Sequence, residues 1–167
     1  MTETRHILHV DDDPLFTAMA AKRLQAYGYQ TTPMHDPHRA IRELPRLQER
    51  VMLLDIDMPG VNGLELLKEV KALDHGILVV MLSGLTSMTT VLQSLRLGAE
   101  ACFFKPVADY DPLADALADC FRKIDRWWAV LDDLAVRRKA EYEEQAAVVE
   151  RGSFPYWTFV NRNLTLD

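Results

Sequence analysis

Cysteine is scarce in this sequence: Cys102 and Cys120 are the only two among 167 residues. Each falls inside an apolar strand or helix pattern, so neither a disulfide framework nor a cysteine metal-ligand spacing is available. That suits a reducing compartment. No long apolar run occurs either. The longest, Ile77 to Leu82, falls well short of the ~20 residues that span a bilayer. The first apolar run begins within a few residues of Met1, which predicts no secretory leader and a cytoplasmic location. Repeats and low-complexity stretches are absent. So is any excess of base. The net charge is −6, and residues 121–167 carry eight Lys/Arg against eight Asp/Glu, which puts the acidic excess in residues 1–120. A nucleic-acid-binding module usually carries a basic footprint. Residues 121–167 show none and are too short for a separate output domain, so no direct nucleic-acid contact is expected.

Apolar residues make up 49% of the chain, enough for a well-filled core. They form short runs, and each run ends in a polar group. Ile7, Leu8 and Val10 precede Asp11-Asp12-Asp13. Val51 to Leu54 precede Asp55, Ile77 to Leu82 precede Ser83, and Cys102 to Phe104 precede Lys105. Strands this continuously apolar, alternating with helical patterns, indicate a parallel sheet covered on both faces. Five β/α units fit residues 5–120. In such a sheet the carboxyl ends of the strands converge on one edge, where ligands bind.

The helical signals are specific. Asp13 before Pro14 reads as an N-cap and a first helical position, with Phe16, Met19, Ala20, Leu24 and Tyr27 as the apolar set and Gly28 as the stop. Tyr29–Met34 reads as an edge strand. A helix over residues 36–47 should break early at Pro45. Leu66, Val70 and Leu73 mark one face of the next helix. Met88, Val91, Leu92 and Leu95 mark another at helical spacing, ended by Gly98. The last helix starts near Asp111. Its apolar positions, Leu113, Leu117, Cys120, Ile124, Trp127, Leu131 and Leu134, alternate spacings of four and three, which is a heptad seam. Helix persists to about Glu150, a reach of roughly 60 Å at ~1.5 Å per residue. Two readings of the seam stand side by side: a homodimer through residues 113–134, or a hairpin folded back on the same chain. The aromatic segment 154–160 follows as a docking peptide or a loose end.

The converging polar groups define the chemistry. Asp11, Asp12 and Asp55 would repel one another, and a hard cation taking oxygen ligands relieves that repulsion. Magnesium suits such a set, keeping waters for its remaining positions. Asp55, at the end of a buried strand, is the natural nucleophile, and a carboxylate attacking phosphorus gives an acyl phosphate. The Lys105 ammonium and the Ser83 hydroxyl would share the incoming charge. Asp13 reads as a cap. The five histidines form no ligand constellation: His6 and His9 read as strand residues, and His35, His38 and His75 fall near loops or helix ends.

At four segments the chain resembles the receiver domain of two-component response regulators: residues 6–14 (HILHVDDDP), 53–63 (LLDIDMPGVNG), 79–84 (VVMLSG) and 97–106 (LGAEACFFKP). They follow the family's order and spacing across about residues 5–120. The resemblance implies a flavodoxin-like, doubly wound five-stranded parallel sheet of order 2-1-3-4-5, with the extended C-terminal helix as an addition. Residues 1–120 would be the receiver, and 121–167 a helical extension with an aromatic tail. The resemblance further implies that Asp55 is the phospho-acceptor. Asp12 and Asp55 would hold Mg2+ directly, Asp11 through water, and Asp57 through its backbone carbonyl. Ser83 would move toward the phosphoryl group, Lys105 would pair with it, and Lys105-Pro106 would be a cis peptide. The donor would be a sensor histidine kinase or a phosphotransfer protein.

One position departs from the family pattern. Tyr or Phe usually stands three residues before the lysine, where this chain has Cys102. Phe103 and Phe104 do not replace it in kind, and a phosphorylation signal is expected to leave by another route.

The leading expectation is therefore a stand-alone, chemotaxis-regulator-like receiver. It is a phosphoprotein that takes a phosphoryl group, loses it slowly, and switches a downstream protein partner, with no enzymatic output. Two alternatives are a haloacid-dehalogenase-like phosphatase using Asp55 and Asp57, and the N-terminal receiver of a longer DNA-binding regulator.

Overall fold

The computed structural model describes residues 5–84 and 87–151, with side chains described as far as residue 143. Seven strands occur among them: β1 Arg5–Val10, β2 Tyr29–Met34, β3 Val51–Asp55, the short pair β4 Asp57–Met58 and β5 Val61–Asn62, β6 Leu78–Ser83 and β7 Ala101–Phe104. The helices are α1 Pro14–Gln25, α2 Pro37–Glu43 with a 3-10 turn Leu44–Arg46, α3 Gly63–Leu73, α4 Met88–Arg96 and α5 Asp111–Arg151. Five strands form one parallel sheet in the order β2-β1-β3-β6-β7. Counting only the strands of that sheet, the order is 2-1-3-4-5, as expected. The compact units divide between Ile124 and Asp125.

The apolar runs hide a period of two. Leu8, Val10, Met52, Leu54, Val79 and Met81 pack on one face with Ala40 of α2 and Leu66, Leu67 and Val70 of α3. Ile7, Val51, Leu53, Val80 and Leu82 pack on the other with Phe16, Ala20 and Leu24 of α1 and Leu113, Leu117 and Cys120 of α5. Alternation of side chains along each strand sends successive residues to opposite faces, and both faces are covered. Each buried leucine contributes on the order of 2 kcal/mol.

The caps follow the sequence signals. The Asp13 carboxylate accepts from the Leu15 and Phe16 amides at 2.9 and 3.1 Å, and such a cap contributes about 1 kcal/mol. Gly28 then takes φ +84° beyond the end of α1, a conformation that a side chain disfavours. The helical segment breaks at Pro45 into the 3-10 turn. Among the described residues no helix is long and apolar enough to cross a membrane.

Three helix faces differ from expectation. Leu67 replaces Leu73 on the buried face of α3. In α1 Met19 is exposed and Thr17 buried, and Tyr27, expected on the same helix face, lies beyond its end and is exposed. The clearest case is α4, where Met88 and Leu95 are 80% and 65% exposed and Ser94 is the buried residue. The period was right and the phase was not. Ser94 can face inward because its hydroxyl donates to the Thr90 carbonyl at 2.9 Å, which removes the penalty of an unmet polar group.

The seam on α5 also divides. Leu113, Leu117 and Cys120 are buried in the core and Phe121 and Ile124 pack against it, whereas Trp127, Leu131 and Leu134 are exposed. A homodimer through the whole of residues 113–134 is therefore corrected: the first half of the seam is covered by the chain's own sheet. The aromatic segment 154–160 lies outside the described residues.

Candidate functional site

The carboxyl edge of the sheet assembles the expected groups. Backbone hydrogen bonds carry the ladder to its end: Ile56 N–H donates to the Leu82 carbonyl at 2.9 Å, and Lys105 N–H to the Ser83 carbonyl at 2.8 Å. Asp55, Ser83 and Lys105 are thus delivered by adjacent chain segments in fixed register. Asp11 follows β1, and its amide donates to the Met34 carbonyl at 3.1 Å. Asp11, Asp55 and Ser83 are buried, while Asp12 is exposed.

Asp11, Asp12 and Asp55 each offer a carboxylate oxygen within 4.8 Å of the others. The Lys105 ammonium lies 2.5 Å from Asp11 Oδ2 and 3.0 Å from Asp55 Oδ1. It also sits 4.4 Å from the centre of the Phe16 ring, a cation–π distance. Lys105-Pro106 is cis, as the resemblance implied.

The electrostatics of the acids diverge. Burial pushes the Asp11 carboxyl up, but the His9 imidazole, the Lys105 ammonium and the Asp13 amide together hold it below its ordinary value of 3.8. The imidazole stands 3.7 Å away, beyond a full hydrogen bond, so Lys105 carries most of that effect. Asp55 goes the other way: burial raises it, Asp11 adds repulsion, and Lys105 only partly offsets both. Burial pulls the Lys105 ammonium down, yet Asp11 and Asp55 hold it above its ordinary value.

Oxygen Oδ1 of Asp55 is buried and has the Lys105 ammonium 3.0 Å away. Three carboxylates around the Lys105 ammonium leave an excess of negative charge, which fits a hard divalent cation. The donor set is all oxygen, as magnesium requires.

The carboxylate of Asp57 lies outside that cluster. Its Oδ2 accepts from the Ser83 hydroxyl at 3.1 Å and from the Gly84 amide at 2.8 Å. The coordination expected of Asp57 draws on its backbone carbonyl and not on this carboxylate.

Two histidines, read from the sequence only as a strand and a loop residue, stand beside the site. His9 is fully buried, with its ring edge-on to Phe16 and both ring nitrogens without a hydrogen bond among the described residues. The signal was available, since positions 9 and 11 share a strand face. His35 Nδ1 lies 2.9 Å from the Asp11 carbonyl and steadies the end of β1. Nothing local in the sequence marks that contact. Cys102 is half-buried against the α3-side core, while Phe103 packs on the opposite face and Phe104 is exposed. Neither ring fills the position of Cys102.

The comparisons with known proteins agree with this geometry. The family model described as the response regulator receiver domain matches residues 7–118. The DNA-binding response regulator MtrA of Mycolicibacterium smegmatis is 32% identical over 124 residues, covering 74% of this chain and 54% of its own. Transcriptional regulatory protein ZraR of Salmonella typhimurium is 30% identical over 111 residues, covering 66% of this chain and 25% of its own. The chain spans about half the length, or less, of the curated relatives it matches. The crystal structure of a CheY-like receiver domain protein from Methanospirillum hungatei aligns with TM-score 0.66 at 26% identity, covering 74% and 99% of the two chains. TrrA from Thermotoga maritima, solved in complex with Mg(2+)-BeF, aligns with TM-score 0.62 at 24% identity, covering 70% and 98%. That last likeness speaks to the fold alone. Relatives named as DNA-binding and transcriptional regulators remove support from the expectation of no nucleic-acid partner.

Proposed function

The chain belongs to the response regulator receiver domain family, and on that premise we propose that Asp55 accepts a phosphoryl group from a histidine kinase or phosphotransfer protein and thereby switches a protein–protein interaction. The observation that carries this reading is the convergence of Asp11, Asp12 and Asp55 around Lys105, whose ammonium lies 2.5 Å from Asp11 Oδ2 and 3.0 Å from Asp55 Oδ1. An Asp55 oxygen attacks phosphorus, the new O–P bond forms, and the donor leaves with the electron pair of the bond it loses. Lys105 neutralises charge at Asp11 and Asp55 before transfer and at the phosphoryl oxygens after it. The Ser83 hydroxyl donates to one of those oxygens. Asp11, Asp12 and Asp55, with the Asp57 carbonyl, would hold Mg2+, which when bound supplies the countercharge for the acids and the phosphoryl group. Phosphoryl acceptance and slow loss are the only chemistry in this reading, and the cytoplasm is its compartment.

A second reading has a specific observation behind it. Curated relatives are named DNA-binding regulators, and this chain covers about half of them. The same phosphorylation would then govern a DNA-binding function. A phosphatase using Asp57 as a free acid–base has less support, because the Asp57 carboxylate accepts two hydrogen bonds.

The test is incubation with Mg2+ and a small acyl-phosphate donor, followed by intact-mass measurement. Wild type should gain one phosphoryl group and Asp55→Asn none. Labelling that survives Asp55→Asn would remove Asp55 as the acceptor.

A further inference from the structure

The contact between Asp57 and the end of β6 has a consequence beyond phosphoryl acceptance, although it rests on that reading. A single oxygen of the Asp57 carboxylate takes two hydrogen bonds, from the Ser83 hydroxyl and the Gly84 amide. Two donors converging on one point form a seat for an anionic oxygen, the arrangement that stabilises developing negative charge in many active sites. Here an oxygen of the protein's own carboxylate fills the seat. The Ser83 hydroxyl has one proton to donate, so it cannot serve Asp57 and a phosphoryl oxygen together.

We propose that Asp57 is an intramolecular occupant of the phosphoryl seat: its carboxylate holds the Ser83 hydroxyl and Gly84 amide until a phosphoryl group on Asp55 displaces it. Asp57 then sets how fast Asp55 is phosphorylated, while the identity of the acceptor stays with Asp55. The exchange is one of hydrogen-bond partners. No proton leaves Ser83, and the covalent change is confined to the O–P bond formed at Asp55 and the donor bond that breaks.

The local structure suits such an occupant. Asp57 pairs with Asn62 across the β4–β5 hairpin, so its backbone is held while its exposed side chain can turn to water. A Cβ added at Gly84 would lie 3.5 Å from Asp57 Oδ2, an ordinary contact. The seat therefore does not depend on glycine at that position. Displaced into solvent, the carboxylate recovers hydration, which keeps the cost of release small.

Charge alone offers a competing account, since Asp57 adds a fourth acid beside Asp11, Asp12 and Asp55. The two accounts separate in a series of Asp57→Glu, Asp57→Asn and Asp57→Ala, each labelled with Mg2+ and a small acyl phosphate and followed by intact mass. Occupancy predicts that Asp57→Ala labels roughly three- to tenfold faster than wild type, the range for the net contribution of one ordinary hydrogen bond. Asp57→Glu keeps the charge but moves the carboxylate by one methylene, and it should label faster too. Asp57→Glu behaving as wild type while Asp57→Asn matches Asp57→Ala would overturn the proposal in favour of charge. So would Asp57→Ala labelling no faster than wild type.

Amide hydrogen exchange at Gly84 provides a readout independent of phosphorylation. The Gly84 amide should be protected in wild type and exchange about tenfold faster in Asp57→Ala. Labelling of Asp55 with Gly84 protection indifferent to Asp57 would sink the occupant alone. Protection that depends on Asp57, with no labelling of Asp55 in any variant, would sink the acceptor reading and the control assigned to Asp57 with it.

Discussion

Strand β3 and helix α4 are both rich in apolar residues, and they end in opposite surroundings. All five residues of β3 are buried, Asp55 included. In α4 the buried residue is Ser94, and Met88, Leu92 and Leu95 face outward. β3 has a hydrogen-bonded neighbour on each edge and helices over both faces, so the position of Asp55 is fixed from several directions. α4 meets the molecule through a serine, and its leucines and methionine add little to the core. Apolar content therefore does not locate the core. Coverage does.

The largest test of that contrast is a pair of truncations. Leu53→Ala should cost about 2–5 kcal/mol in chemical denaturation, the range for a buried leucine. Leu95→Ala should stay within about 0.5 kcal/mol, as for an exposed site. Equal losses would erase the difference between the two elements.

A sharper probe sits at the end of β3 itself. Lys105→Met leaves Asp11 and Asp55 facing each other without the ammonium. The loss at neutral pH should be about 2 kcal/mol, somewhat below the range for breaking a buried pair because Lys105 is partly exposed. The pH dependence follows from the shifts. Asp11 is held below 3.8, so its contribution is full above that value and lost as pH falls through its folded value. Lys105 is held above 10.5, so its contribution is full below that value and lost as pH rises through its folded value. The deficit of Lys105→Met should therefore span the neutral range and shrink below 3.8. A deficit unchanged in acid would mean that Lys105 acts through packing on Phe16 and not through charge. Asp55 has the opposite sign. Its raised value makes the ionised form a liability above 3.8, so Asp55→Asn should be more stable than wild type at neutral pH in chemical denaturation. Saturating Mg2+ should close that gap by stabilising wild type more than the variant.

The sequence carried most of this architecture because strands β1, β3 and β6 are buried on both faces. Near-continuous runs such as Val51–Leu54, set between helical patterns, read as strands buried on both faces, and each ends in the group that the site uses. Asp13-Pro14 and Pro45 marked helix boundaries because capping and the missing proline amide are local effects. What stayed hidden depends on contacts far along the chain. The phase of α4 is set by which side meets β7, and the spacing of Met88 to Leu95 contains no such information. The carboxylate of Asp57 reaches Ser83, and His35 reaches the Asp11 carbonyl, through contacts that become visible only once the sheet is assembled.

Helix α5 repeats the lesson within one element. The heptad spacing runs unbroken from Leu113 to Leu134, yet the buried part stops near Ile124 and Trp127 is 65% exposed. A self-associating seam is thus limited to the exposed residues Trp127, Leu131 and Leu134. Light scattering across a concentration series should show dimer for wild type and a shift to monomer, of about tenfold in dissociation constant or more, for Leu131→Glu. A wild type that stays monomeric throughout would mean that this stripe does not pair copies of the chain.

The smallest effect compares the two thiols, one on each kind of element. Cys120 lies on the buried face of α5, where burial, together with the nearby Glu100, pushes its thiol up to about 11. At pH 8 only about one molecule in a thousand then carries that thiolate, from the gap between pH and pKa. Cys102 lies on β7 beside α4 and is half-buried, and burial raises its thiol as well, with Ser94 pulling the other way. Both thiols should alkylate slowly, but at different rates, because reaction requires thiolate and access together. The α4–β7 edge has little apolar packing to break, so a local opening suffices to expose Cys102, whereas Cys120 waits for the core to open. Native-state alkylation at pH 8, mapped by peptide mass, should therefore modify Cys102 several-fold faster than Cys120. Equal rates would show that both thiols wait on the same global unfolding, and that the edge around α4 is held as firmly as the strands it borders.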